Sequence, residues 1–217
     1  MQQALSSRTI RHPLWLLTGF WLLVAISIAI VVRRLIELIH PSGAGPAQMA
    51  AINATFSSHA ALTLMHIVPA AIFVLLAAAV LLRCAGKPLK RAFYVFGTIT
   101  GVTAYAMSSY AIGGWVERSA VLLFNTWFLL TLGRACWLGF HSDAREREWM
   151  TRAVVVLLGV ATTRPVMGVF FATSPLTHLG PNQFFGIAFW IGFSINTIAV
   201  ELWLHSKQRA RLYTTGI

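Results

Sequence analysis

The stretch Ala153–Phe171, AVVVLLGVATTRPVMGVFF, decides the fold. Apart from Arg164 it is an uncharged, apolar run, long enough for a helix to cross a hydrocarbon core of roughly 30 Å at about 1.5 Å per residue. Arg164 is the exception. A charged side chain at bilayer depth costs about 2.5–3.5 kcal/mol on insertion scales. Such a residue calls for a partner, a water-filled cavity or a ligand, so the stretch reads as a membrane helix that carries one wall of a polar site.

Working outward, five more runs have the same character. The six spans fall at about 14–33, 58–82, 92–113, 119–140, 150–172 and 183–205. They are expected to be helices, because an open strand edge cannot face lipid. Of the 217 residues, 57% are hydrophobic and 11% charged, with a mean hydropathy of +0.71. Soluble domains carry about 25% charged residues. The chain therefore reads as one all-α membrane domain, residues 1–217, with almost nothing left over for a soluble one.

The net charge of +11 does not point to nucleic acid, because the basic residues gather at helix ends, as orientation signals do. Arg8, Arg11, Arg83, Lys87, Lys90, Arg91, Arg145, Arg147, Arg152, Lys207, Arg209 and Arg211 fall on one side, and Arg33, Arg34 and Arg118 on the other. That bias predicts both termini in the cytoplasm of a multi-pass inner-membrane protein, with the bilayer as its first partner. The run from Leu14 is longer than a signal-peptide core and ends in Arg33-Arg34, so it reads as a retained span. Residues 40–57 read as a long external loop and 173–182 as a shorter one. Cys84 and Cys136 belong to no metal-binding spacing and read as small apolar filler. Gly97-x-x-x-Gly101 allows close helix approach, with packing inside the bundle preferred over a dimer contact.

Depth brings the polar residues together. His66 lies about 10–13 Å in from the outer end of the second span, and Arg164 about 13 Å below the outer end of the fifth. Both belong to the outer half of the membrane, with Asn125 and Tyr105 as candidates for the same layer. His59, Thr63 and His66 recur at i, i+4 and i+7 and share a helix face. Pro69 frees a backbone carbonyl close to His66, and Pro165 does the same beside Arg164. The functional reading is an outward-facing pocket of His66 and Arg164 with His59 at its mouth. The structural alternative has Arg164 on freed carbonyls and His66 bridging helices. A second polar layer, with Arg134, Arg152 and Glu201, reads as a structural ion pair in which either arginine neutralises Glu201.

The pocket suits a small anionic or carbonyl-bearing ligand, such as a quinone headgroup, a lipid headgroup or a small acid. Haem b is a further possibility, with Arg164 on a propionate. Two histidines on one helix cannot ligate one iron from opposite faces, so a bis-histidine haem needs a second helix; only His40 or His178 could reach His59 and none reaches His66, for which Met167 or Met107 would be the second ligand. Zinc or copper at His59 and His66 fits poorly, since the spacing is wrong and no carboxylate or thiolate is near. No nucleophile–base pair or soluble-enzyme motif is visible. A structural or assembly subunit is the third possibility.

From His66-Ile67 to Arg164 the chain resembles a family of bacterial membrane proteins, the domain of unknown function 2306. The corresponding residues are His66-Ile67, Arg91 with Tyr94, Gly113-Gly114, Trp149-Met150 with Arg152, and Arg164 twelve residues later. Lys90 and Glu146 stand where that family carries inner-loop histidines. The resemblance covers about half the chain. It implies a six-helix fold and gives weight to His66 and Arg164, but it implies no activity.

Overall fold

A computed structural model describes residues 14–40, 47–82 and 86–215. Arg8, Arg11, Arg83 and Cys84, which entered the charge and cysteine arguments above, lie outside them, as do the side chains of Trp15 and Arg211.

Every described element is helical: α1 (Leu14–Ile39), α2 (Ala47–Ser58), α3 (Ala60–Leu81), α4 (Lys87–Met107), α5 (Gly114–Phe140), α6 (Glu146–Leu157), α7 (Gly159–Thr177) and α8 (Pro181–Thr215), with a 3₁₀ turn at Ser108–Tyr110. Four stretches are long and apolar enough to cross a membrane: Ala60–Leu81, Gly114–Phe140, Glu146–Thr177 and Pro181–Ala210. In each, only 28–39% of the most apolar window is buried inside the protein. Side chains such as Leu130, Phe140, Val169 and Leu202 stand exposed, an arrangement that lipid tolerates and water does not.

The segment expected to be loop before residue 58 contains α2 instead. Its sequence, AQMAAINATFSS, is weakly apolar and lacks Gly and Pro, so helix propensity prevails once Ile52 is buried. α2 gives way to α3 at His59, whose φ of −120° and ψ of 39° break the helical ladder. α7 runs on to Thr177, so the loop expected at 173–182 shrinks to His178–Gly180, with His178 in the left-handed region at φ 55°.

The rod carrying Arg164 is interrupted at Leu158, between α6 and α7. Ala161 N–H donates to the Leu158 carbonyl, three residues back, at 2.9 Å, which tightens the turn. The Val155 carbonyl accepts from Asn196 Nδ2 of α8 at 2.9 Å. Asn196 Oδ1 in turn accepts from Thr162 Oγ1 at 2.7 Å. A polar bracket from α8 thus spans the break.

Glycines set the closest crossings. A Cβ on Gly192 would stand 2.7 Å from the Thr163 backbone nitrogen, and one on Gly113 would stand 2.6 Å from the Gly186 nitrogen. α8 therefore meets α7 and α5 at backbone distance. Gly97 and Gly101 face Phe73 of α3 and Leu132 and Leu129 of α5, so the GxxxG pair packs inside the bundle. One buried apolar cluster centres on Phe73, Phe93 and Phe128. A second holds Ile52, Met167, Phe184, Phe185 and Ala188.

Candidate functional site

A cavity of about 620 Å³ opens into the bundle, and its walls draw on both apolar clusters. That is within the roughly 300–1,000 Å³ usual for small-molecule sites. α1, α2, α3, α4, α5, α7 and α8 all contribute lining residues, and so does the end of α6 through Val156 and Leu157. Seven phenylalanines line it: Phe56, Phe124, Phe128, Phe171, Phe185, Phe189 and Phe193. Phe124 and Phe193 stack, with centroids 5.4 Å apart and planes at 16°.

His66, Arg164 and Asn125 line this one cavity. His66 Nδ1 lies 3.0 Å from Thr103 Oγ1. Thr103 Oγ1 has the Ile99 carbonyl at 2.7 Å and the Thr100 carbonyl at 3.1 Å as acceptors for its one proton, a pattern that is met when the His66 ring donates through Nδ1. Asn125 is buried, and its Nδ2 donates to the Gly101 carbonyl at 2.8 Å. Its carbonyl oxygen keeps acceptor capacity.

Arg164 has no ion pair. Those among the described residues are Lys90–Glu146, Arg145–Asp143 and Arg152–Glu201. Its Nη1 faces Met167 Sδ at 3.6 Å, a weak acceptor, and its buried Nε has no hydrogen-bond partner. Among the described residues, the other buried side-chain atom in that condition is Ser27 Oγ of α1. Buried polar atoms without a partner are uncommon, and both of these belong to residues that line one cavity.

The sequence argument overlooked Glu117. It precedes the span expected at 119–140, yet it lies in the first turns of α5, is only 9% exposed and lines the cavity. Its Oε2 accepts the Gly113 N–H at 2.7 Å. Arg33, Arg34 and Glu37 line the same cavity, so Glu117 and Arg164 are two of its five charged residues, and these two make no direct ion pair. The available signal was an acid three residues after the pair Gly113-Gly114, where a glycine corner admits a close neighbour.

Among the lining residues, Arg34 Nη1 donates to Asn53 Oδ1 at 2.9 Å, and Asn53 Nδ2 donates to Glu37 Oε1 at 2.9 Å. Arg34 also lies 4.2 Å over the Phe56 ring. These contacts tie α2 to α1 beside the cavity, which both helices line.

Other candidates lie elsewhere. His59 does not line the cavity. Its ring lies 3.5 Å from that of Tyr110, which does, and its Nδ1 is 3.1 Å from the Thr55 carbonyl. Tyr105 points away from the cavity and pairs with Thr126 Oγ1 at 2.7 Å. Thr100, Ala104 and Met107 mark the lined face of α4, and Tyr105 lies off it, which depth alone could not reveal.

Glu201 pairs with Arg152, from Nε to Oε1 at 2.7 Å and from Nη2 to Oε2 at 3.2 Å. Arg152 also lies 4.7 Å over Trp149. Arg134 takes no part in this pair. It is exposed and rests 4.5 Å over Trp137, one helical turn along. For haem, the cavity offers His66, Met107 and Met167. Among the described residues no group of three or more His, Cys, Asp or Glu side chains could hold a metal ion.

No protein-family model, curated protein or solved structure matches the chain.

Proposed function

We propose that this is a six-span inner-membrane protein, with both termini cytoplasmic, that holds an amphiphilic ligand within the bundle. The acceptor-bearing head of the ligand rests on Arg164 and its apolar body lies among the phenylalanines. α1 and α4 complete the six spans. In support, α1 carries no charge from Leu14 to Val32, and α4 is 21 residues long. The charge bias supports the orientation, with Lys87, Lys90, Arg91, Arg145, Arg147, Lys207 and Arg209 at one end and Arg33, Arg34 and Arg118 at the other. On this topology the cavity opens in the outer half of the membrane. The kinship with the domain of unknown function 2306 belongs to the same proposal, through His66 and Arg164.

One observation carries the ligand reading. A buried arginine without a carboxylate partner faces a cavity large enough for a small molecule. Nothing in the cavity lining offers a nucleophile with an adjacent base, so binding is the function the geometry favours over catalysis. The test is to purify the protein in mild detergent, extract what copurifies and identify it by mass spectrometry, beside an Arg164→Gln variant. The expected result is a stoichiometric amphiphile retained by the wild type and lost from the variant. Equal recovery of the same bulk lipids from both proteins would sink the proposal.

A further inference from the structure

Three arginines, Arg33, Arg34 and Arg164, line the cavity with two acids, Glu37 and Glu117, so its wall carries a surplus of one positive charge. Arg34 and Glu37 are tied to one another through Asn53, which accepts from Arg34 Nη1 and donates to Glu37 Oε1, both at 2.9 Å. Glu117 is held locally in the first turn of α5. Its Oε2 accepts the Gly113 N–H at 2.7 Å, and a helix N-terminus favours a negative charge. Arg33 is exposed and joins none of the ion pairs among the described residues. Arg164 joins none either, and it has no such access to water at Nε, which is buried without a partner, while its Nη1 faces the Met167 thioether at 3.6 Å. The surplus charge that lacks compensation within the fold is therefore the one on Arg164.

The wall is also zoned. Arg33, Arg34 and Glu37 stand near the end of α1, and Glu117 near the start of α5. On the other side of Arg164 the lining of its own rod is apolar, through Val160, Leu157 and Val156, and so is that of α3 from Ile67 to Val74. Arg164 back to Val156, and His66 on to Val74, are eight residues each, about 12 Å at ~1.5 Å per residue. Thr100 and Asn125, which line the cavity as well, donate to carbonyls of α4, at Phe96 and Gly101, both at 2.8 Å. A carbon–carbon bond of ~1.5 Å advances an extended chain by about 1.25 Å, so ~12 Å holds roughly ten carbons.

Resting on the ligand-binding reading above, we infer that the ligand is a single-chain monoanion of the fatty-acid class, with its carboxylate on the Arg164 guanidinium and its acyl chain in the apolar zone toward Val156 and Val74. The two oxygens of a carboxylate match the guanidinium fork, and one negative charge cancels the surplus of the wall. A cationic head would add to that surplus, and a neutral head would leave it in place. A phosphodiester lipid offers the same single charge on an oxyacid head, so the experiment includes one.

The protein is placed in nanodiscs of zwitterionic phospholipid at pH ~8, where a carboxyl is ionised. Equilibrium binding of radiolabelled decanoate is measured with decanol, decyltrimethylammonium and phosphatidylglycerol as competitors at equal membrane concentration. A charged hydrogen bond forgone corresponds to about tenfold or more in affinity. Decanoate is therefore expected to bind stoichiometrically and about tenfold or more tighter than decanol, with no competition from decyltrimethylammonium. Arg164→Gln is expected to lose that preference. Glu117→Gln keeps an acceptor for Gly113 and doubles the positive surplus, and is expected to bind decanoate severalfold tighter. Decanol or decyltrimethylammonium binding as tightly as decanoate would overturn the anionic assignment and leave the amphiphile reading standing. So would weaker decanoate binding by Glu117→Gln, or unchanged binding by Arg164→Gln, in variants folded by circular dichroism. Phosphatidylglycerol displacing decanoate would overturn the fatty-acid assignment in favour of a lipid headgroup. Failure of every probe, with nothing copurifying, would remove the ligand-binding reading itself.

Discussion

Replacing Arg164 by methionine is expected to make the empty protein more stable. A buried guanidinium must recover the hydration it loses, and in this fold it does so poorly. Its Nε is buried without a partner, its Nη1 meets only a thioether at 3.6 Å, and no carboxylate pairs with it. Leaving one buried donor unmet costs about 1–3 kcal/mol. Methionine fills comparable space with adaptable apolar bulk. Glu117 loses an attractive neighbour in the variant but keeps the Gly113 N–H. The net gain is therefore set at about 1–3 kcal/mol, or very roughly 2–10 °C in melting temperature for a chain of this length. The assay is thermal unfolding of ligand-stripped protein followed by tryptophan fluorescence. The same scan with added ligand is expected to stabilise wild type and to leave Arg164→Met unchanged. A variant that melts below wild type would refute the reasoning, since Arg164 would then be a structural strut.

Other expectations concern the frame around the cavity. Glu201→Gln strands Arg152, whose side chain is 11% exposed; because Glu201 itself is 31% exposed, the cost is discounted to about 1–3 kcal/mol. Adding Arg152→Met should recover most of the loss in a double-mutant cycle. Gly113→Ala forces a Cβ to within 2.6 Å of the Gly186 nitrogen and is expected to cost about 1–3 kcal/mol. Gly133→Ala meets nothing within 4 Å and should gain up to about 1 kcal/mol; equal effects in chemical denaturation would contradict the close α5–α8 crossing. Between α5 and α6, Arg145 holds the Asp143 carboxyl at about 2, below the ordinary value of about 3.9. A depressed carboxylate contributes stability above its unfolded value and loses it as pH falls towards 2. The melting difference between wild type and Asp143→Asn should therefore be flat above pH ~5 and vanish near pH 2.

Periodicity and hydropathy reveal the long helices because lipid leaves a chain few alternatives. Rise per residue places His66 and Arg164 at one depth, and both line one cavity. Depth is a single coordinate, however. It cannot tell which way a side chain turns about its helix, which is why Tyr105 joined the candidate layer although it pairs with Thr126. Arg134 was set beside Glu201 for the same reason, whereas it rests on Trp137. Glu117 was missed because hydropathy begins a span where apolar residues begin, and α5 starts earlier, at Gly114. The helical state of α2 depends on burial of Ile52 and on Asn53 bridging Arg34 and Glu37, contacts between segments that no local pattern encodes.

α1 packs chiefly on α3 and α7, and only Val24 and Ser27 of its described side chains are buried. Yet it supplies a full wall of the cavity, from Ile26 to Glu37. A helix of 26 residues is about 39 Å long, more than the roughly 30 Å hydrocarbon thickness it would span. Such a helix adapts by tilting, and a loosely held one tilts most readily. The cavity would then be a gauge of bilayer thickness, wider or narrower as α1 leans. Ligand affinity measured in nanodiscs of short-chain and long-chain lipids should differ severalfold, and identical affinities across the series would mean that α1 is clamped more firmly than its contacts suggest.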